Sequence, residues 1–400
     1  MNCKHFGVCG GCTNIQDYSA QLQAKHNLTL QEFHSFIFDK DSQSSHSPSP
    51  IEVFASPQEG FRARAEFRFY RALENQNTLD FAMNAFGHNH RVRIEQCLIL
   101  LPLVQRIMPL LLHYVRTYDI LSYKLYACNF LSCLDNETLI TLIYHKSLDS
   151  RWESLALKIQ KELQNALNAT IHIIGRSKNA KHILSSDIIC EHLTLFANTP
   201  KEHTYTFFKQ ESRFCQPNPF INTQMLEFIF SSLASIYTSQ TPCDMLELYC
   251  GSGNFTIPLS LIFRRIFATE VVKSAITLLQ KNMAENNVEN ITPARLNAFE
   301  SIQALRKERT FFRLKDIDVD NFAFDCVLID PPRSGVNEQE ILHFLQGFNT
   351  IVYVSCNPHT LLRDMRTLCQ SHYIMRFGLF DQFPHTHHRE CIVILRKHSH

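Results

Sequence analysis

The sequence predicts an α/β chain: a Rossmann-like domain over residues 205–400, preceded by an α+β region. Three observations carry this. From about residue 205, short apolar runs alternate with amphipathic stretches, which is how a parallel sheet with crossover helices reads. Several of these runs end in residues fit for chemistry, at the edge where open α/β sheets bind ligands. The upstream half instead shows the period-two alternation of half-buried strands.

Bulk properties narrow the class. A length of 400 residues suits two domains, or one with a large appendage. With 45% hydrophobic and 19% charged residues, the chain can bury a sizeable core and is not disordered. The 31 Phe suggest packed interiors, with some rings free to stack. A net charge of +1 means that any nucleic-acid footprint must be local. Fourteen Cys without a signal peptide do not read as a disulfide scaffold, and they suit a reducing cytoplasm. The most apolar stretch, 97–112, is interrupted by Pro102, Gln105, Arg106 and Pro109, so no membrane span is expected.

Residues 1–50 form the first segment. It opens on a Cys/Gly cluster, continues as a helix over 13–38 and closes in a Ser/Pro-rich linker over 40–50. Residues 51–204 form the α+β region. In FRARAEFRFYR (61–71), Phe61, Ala63, Ala65, Phe67 and Phe69 point one way and Arg62, Arg64 and Arg68 the other. The arginine row is either a solvated strand face or a phosphate-contacting stripe. A helix over 98–118, strands over 122–133 and 137–145, a helix over 150–167 and a strand over 169–175 follow. In the last segment the strands are 245–250, 265–271, 291–299, 324–333 and 350–356, and 373–381 with 390–397 close the sheet as an antiparallel edge hairpin.

Four motifs stand at the strand ends. ELYCGSGNF (247–255) is a strand, a glycine turn and a helix start, where the backbone can approach a ligand closely. Glu270 ends the next strand, placed to take a ribose hydroxyl pair. The spacing is not GxGxxG, which disfavours NAD. IDPPRSG (329–335) fixes Asp330 at the ligand edge through a rigid Pro-Pro exit. VSCNP (354–358) puts Cys356 at a strand's carboxyl end before a helix, where the helix N-terminus should favour the thiolate. In FPHTHHRECIV (383–393), Glu390 begins a strand and is the best-placed general base, while His385, His387 and His388 match no standard zinc spacing. Cys326, Cys369 and Cys391 sit at no strand exit and read as core.

Together, ELYCGSGNF, IDPPRSG, VSCNP and LFDQFPHTHHRECIV resemble the RNA uracil-C5 methyltransferases, and FRARAEFRF with IYHKSLDSRW resembles their tRNA-modifying branch. The likeness runs from about residue 55 to the C-terminus. It implies a methyl donor, S-adenosylmethionine (SAM), and a tRNA substrate methylated at uridine 54 of the T-loop, with tmRNA as a further substrate. It also implies that residues 51–204 recognise RNA. Cys356 would be the nucleophile and Glu390 the base. Gln216, Tyr249, Gly251, Asn254, Glu270 and Asp330 would bind the donor, and Tyr126 would stack on a T-loop base. Asn297 stands where an acid usually follows the third strand. Cys3, Cys9 and Cys12 have the spacing that in rRNA-modifying relatives helps hold a [4Fe-4S] cluster, with Cys97 as fourth ligand; four thiolates also suit zinc. This spacing keeps a 23S rRNA uridine methyltransferase as an alternative, and a non-catalytic RNA-binding iron–sulfur protein as one of another class. No obligate protein partner is evident.

Overall fold

A computed structural model describes residues 1–38, 50–71, 78–178, 180–238 and 243–398. The Ser/Pro-rich segment 40–50 lies outside the described residues except for Pro50.

The chain opens with an irregular cysteine-bearing segment and two helices, α1 (Tyr18–Glu32) and α2 (His34–Phe38), where sequence periodicity predicted one. Asp17 caps α1 through Ser19 N–H. The face that α1 buries is polar: Gln21, Lys25 and Thr29, four residues apart. Leu28, expected on the apolar side, is exposed. Strand β1 (Ile51–Phe54) follows.

The middle region holds β2 (Arg64–Arg71), β3 (Leu79–Asn84), β4 (Arg91–Ile94), α3 (Pro102–Thr117), α4 (Asp119–Ser122), β5 (Leu125–Ser132), β6 (Glu137–Tyr144), α5 (Ser150–Leu167), β7 (Thr170–Ser177) and β8 (Ala180–Ile183). Its seven strands run in the order β4-β3-β2-β5-β6-β7-β8. Only β6 and β7 pair in parallel, joined by α5. Asp149 caps α5 by accepting from Trp152 N–H at 2.9 Å. Trp152, Phe81, Phe130 and Ile107 are among the side chains packed between this sheet and α3 and α5.

A separate antiparallel hairpin comes next, β9 (Ile188–Leu195) with β10 (His203–Gln210). It spans residue 204, where sequence reasoning had divided the chain, so that boundary falls inside β10. Helix α6 (Pro219–Ile236) leads into β11 (Asp244–Leu248), α7 (Thr256–Leu259), β12 (Arg265–Thr269), α8 (Lys273–Glu285), β13 (Ile291–Ala294), α9 (Ala298–Leu305), β14 (Phe324–Ile329), α10 (Gln339–Leu345), β15 (Thr350–Ser355), α11 (Pro358–Leu368), β16 (His372–Phe380) and β17 (Glu390–Lys397). The sheet order is β1-β16-β17-β15-β14-β11-β12-β13. Strands β11 to β15 are parallel, and β17 runs antiparallel between β15 and β16. The closing hairpin is therefore not the edge. Strand β1 pairs in parallel with β16 and covers it, so residues 51–54 belong to this sheet rather than to the region that follows them in sequence. Apolar layers pack both faces of the sheet, led by Leu246, Val327 and Ile351 on one and Met245, Leu328 and Val352 on the other. Burial on both faces explains why these strands read as continuous apolar runs. Among the described residues no helix is long and apolar enough to cross a membrane.

Candidate active site

The carboxyl ends of β11, β12, β14 and β15 meet at one cavity of about 900 Å³. Tyr249, Gly251, Glu270, Asp330, Arg333, Cys356, Glu390 and Gln216 all line it. Both residues expected to carry the chemistry and most of those expected to bind a donor thus share one space. Asn254 borders a smaller adjoining cavity of about 60 Å³, which also touches Gln216, Tyr249, Gly251 and Asp330.

The glycine turn is strained where a ligand would lie. Tyr249 has φ of 62°, a left-handed conformation that a bulky residue rarely adopts. Gly251 has φ of 56°, and a Cβ there would meet nothing within 4 Å, so backbone conformation and open approach, not packing, require glycine. Gly253 differs, because a Cβ would stand 2.4 Å from Leu279 Cδ1. Glu270 is held from two sides: Gly251 N–H donates to Oε2 at 3.3 Å and Val272 N–H to Oε1 at 2.8 Å. Asn254 and Asn222 exchange amide hydrogen bonds at 2.8 and 2.9 Å. Gln216 accepts from Gln382 Nε2 at 2.7 Å. Asn297, in the place of an acid, accepts from Glu300 N–H while Glu300 returns to its backbone; it is a helix cap.

Cys356 follows β15, all six residues of which are buried, and Asn357 caps α11 directly after it. The expectation of a favoured thiolate is not met. Burial first, then the Glu390 and Asp330 carboxylates, push the Cys356 thiol up, and Arg333 only partly opposes them. The same logic governs the carboxylates. Burial pushes Asp330 up to about 7. Burial and then Asp330 push Glu390 well above the ordinary range, with Arg333 pulling it down. Glu247, at the base of the glycine turn, is buried and raised to about 8. The site at rest favours neutral groups, and Arg333 is the cation whose charge opposes this at both Cys356 and Glu390.

The loop that delivers Glu390 is fastened by the N-terminal segment. Lys25 Nζ donates to Asp381 Oδ1 at 2.6 Å and to Phe383 O at 3.1 Å. Gln21 Oε1 accepts from His385 N–H at 3.0 Å, and Thr13 and Asn14 N–H donate to His385 O. Arg389 donates to Thr29 and Glu32. His385 is buried here, whereas His387 and His388 are exposed. None of Lys25, Asp381 or Gln21 was singled out from sequence. The signal was present as a polar stripe at four-residue spacing on a helix with no regular apolar one.

The same cavity is also lined by Cys3, Cys9, Cys12 and Cys97. Burial, then neighbouring thiols, push Cys12 and Cys97 up to about 12. Arg62, expected on the open arginine row, turns inward and opposes this at both thiols. Among the described residues no three His, Cys, Asp or Glu side chains, these four thiols included, are arranged to hold a metal ion.

On the seven-stranded sheet, Arg68 lies over the Tyr126 ring at 4.1 Å, and Tyr126 meets His145 at 4.2 Å between centroids. Cys326 and Cys391 are buried, and Cys369 packs against the core.

A Rossmann-like sheet with a glycine turn, a ribose-type acid and convergent acids and thiol at its carboxyl edge defines a nucleoside-dependent methyltransferase fold. A sequence model of the tRNA (uracil-5-)-methyltransferase family matches residues 17–398, and the chain belongs to that family. A protein of Helicobacter hepaticus named tRNA/tmRNA (uracil-C(5))-methyltransferase is 80% identical over 99% of both chains. One of Wolinella succinogenes with the same name is 41% identical, over 99% of this chain and 100% of its own. The crystal structure of Pyrococcus abyssi tRNA (uracil-54, C5)-methyltransferase with S-adenosyl-L-homocysteine superposes with a TM-score of 0.68. It is 19% identical and covers 97% of this chain and 86% of its own, so it supports the fold.

Proposed function

We propose that this enzyme methylates C5 of a uridine in tRNA and tmRNA, at position 54 of the T-loop in tRNA, with SAM as donor and Cys356 as covalent nucleophile. The observation that carries this is one cavity lined by Cys356, Glu390, Asp330, Arg333 and the glycine turn. The names borne by the two relatives support tRNA and tmRNA over ribosomal RNA.

C5 of uracil is a weak nucleophile. The Cys356 thiolate adds to C6, forming a C–S bond, and the C5–C6 electron pair moves into an enolate. C5 then takes the methyl group in line. SAM supplies that electrophilic methyl, and the S–CH3 bonding pair stays on its sulfur. Glu390 removes the C5 proton, and the electron pair expels the Cys356 thiolate to restore the 5,6 double bond. Glu390 and Cys356 are useful only when ionised. Arg333 and the positive charge of a sulfonium beside them both favour those forms. Gln216, Tyr249, Gly251, Asn254, Glu270 and Asp330 would hold the donor, with Glu270 on its ribose.

The target base must leave its stack to reach Cys356. Tyr126, which lies beneath Arg68, would stack on an unstacked T-loop base once Arg68 or His145 gives way. Residues 51–204 would supply most of this recognition, apart from β1.

We assign Cys3, Cys9, Cys12 and Cys97 as ligands of a [4Fe-4S] cluster, in which each thiolate binds a different iron and no single-ion geometry is needed. Four thiols on one wall with Arg62 beside two of them suit an anionic cluster. Its part is structural, since methyl transfer moves no electron. The protein works in the cytoplasm with RNA as its partner.

The test is methyl transfer to purified tRNA followed by mapping of the product. Methyl at C5 of uridine 54 is expected, and product only on ribosomal RNA would overturn the tRNA assignment. T-loop RNA carrying 5-fluorouridine at 54 should trap an adduct with the protein but not with Cys356→Ala. Iron and acid-labile sulfide in anaerobically purified protein test the cluster, and the absence of both would remove it.

A further inference from the structure

A buried ion pair lies beside the glycine turn and has no part in the steps above. Glu191 on β9 and Lys209 on β10 meet across the hairpin. Glu191 is wholly buried and Lys209 nearly so. Glu191 Oε1 has no hydrogen-bond partner. Taking two charges out of water costs several kcal/mol per ion, and a pair that leaves one oxygen unmatched does not recover all of it.

Both side chains line the cavity of about 60 Å³ that adjoins the main one. Its other walls include Gly251, Ser252, Asn254 and Asp330. Glu270 and Cys356 border only the larger cavity. This arrangement sorts the three substituents of a sulfonium. The adenosyl arm runs toward Glu270, and the methyl must face the base held by Cys356. The third arm is left with the space behind the glycine turn, under the β9–β10 hairpin. In SAM that arm ends in a zwitterion. Asn222 and Asn254 bond each other, and Gln216 Oε1 accepts from Gln382, while the Asp330 carboxylate also borders this cavity. Lys209 brings the one ammonium among the residues that line it, and Glu191 a carboxylate oxygen with nothing bound.

We propose that Lys209 and Glu191 recognise the amino-acid end of the methyl donor, Lys209 taking its carboxylate and Glu191 Oε1 its ammonium. The assignment rests on SAM being the donor. The catalytic sheet would then hold the nucleoside, and a hairpin outside that sheet would read the rest.

Calorimetric titration of the full-length protein with two ligands separates the outcomes. S-adenosylhomocysteine carries the amino-acid end, and methylthioadenosine has the same nucleoside and sulfur without it. Lys209→Met and Glu191→Gln should each weaken S-adenosylhomocysteine by about tenfold or more and leave methylthioadenosine within about twofold. Equal loss for both ligands would make the pair mere scaffolding and overturn the proposal, as would no loss for either. Should the single variants not fold, the wild-type protein still decides. It should bind decarboxylated S-adenosylhomocysteine at least tenfold more weakly than the intact compound, and equal binding would overturn the carboxylate contact. A wild-type protein that binds none of these nucleosides would remove the donor assignment itself, a failure distinct from the others.

Discussion

Two walls of the same cavity carry cysteines, and they differ in what surrounds the sulfur. Cys356 stands at the end of a fully buried strand, so the sheet dictates its position. Cys3, Cys9 and Cys12 lie in an irregular segment tied down by few contacts, such as the bridge from Cys9 to Ala85 and the bond from Gly10 N–H to Asn84 O. Each set of thiols has an arginine acting on it, Arg333 on Cys356 and Arg62 on Cys12 and Cys97. Beyond that the neighbours part. Cys356 faces two carboxylates, which suits proton traffic, while Cys12 and Cys97 face other thiols, which suits shared ligation. The same side chain is a reagent on one wall and a fastening on the other.

Substitutions on the two walls should therefore fail differently. Replacing Cys356 by Ala should lower turnover by about 10⁴-fold or more, as loss of a covalent nucleophile does, with thermal stability little changed. Rates of single-turnover methylation check it, and substantial residual turnover would make another residue the nucleophile. Replacing Glu390 by Gln should cost roughly 10²- to 10⁴-fold, the range of general-base catalysis. Its signature is a methylated protein–RNA adduct that accumulates on ordinary uridine RNA, visible as a gel shift, because addition and methyl transfer precede proton removal. Replacing Cys12 or Cys97 by Ser should instead lower iron content and melting temperature. The folded fraction should still form the fluorouridine adduct at close to the wild-type rate, and loss of adduct at full folding would put this wall into the chemistry. The smallest effect is on pH dependence. Cys356 and Glu390 both have raised pKa values, so activity should climb as pH rises and ionises them. Arg333 pulls both values down, so Arg333→Ala should move that rising limb to higher pH. A profile that stays in place would show that Arg333 does not tune the pair.

The catalytic wall was legible in the sequence because strand ends are. Asp330 and Cys356 follow apolar runs that could only be buried strands, and a parallel sheet brings their carboxyl ends to one edge. Helix α5 was legible through the apolar spacing of Trp152, Ala156, Ile159 and Leu163, which are its buried face. The polar face of α1 was not, since Gln21, Lys25 and Thr29 are buried by partners more than 350 residues away. The hairpin β9–β10 was missed for a related reason. Charged and polar residues such as Glu191 and Lys209 occupy buried positions there, which breaks the alternation that announces a strand. Arg62 misled in the opposite sense, because period two places it on the open row while its long side chain folds inward. Breaking the Lys25–Asp381 pair by Lys25→Met should leave a buried carboxylate uncompensated at a cost of about 3–5 kcal/mol. A shift in denaturation midpoint measures this, and no shift would mean that the loop before Glu390 holds itself.

Strand β1 has a consequence for the order of assembly on the ribosome. Its partners in the sheet are Phe377 to Phe380, so Ile51 to Phe54 emerge more than three hundred residues before them. The seven-stranded sheet pairs residues 64–183 among themselves and can close while the rest is still being made. Contacts of such long sequence separation form late. The nascent chain thus closes the sheet that carries Tyr126 first. The covering strand of the catalytic sheet can dock only once Phe377 to Phe380 are available to pair with it.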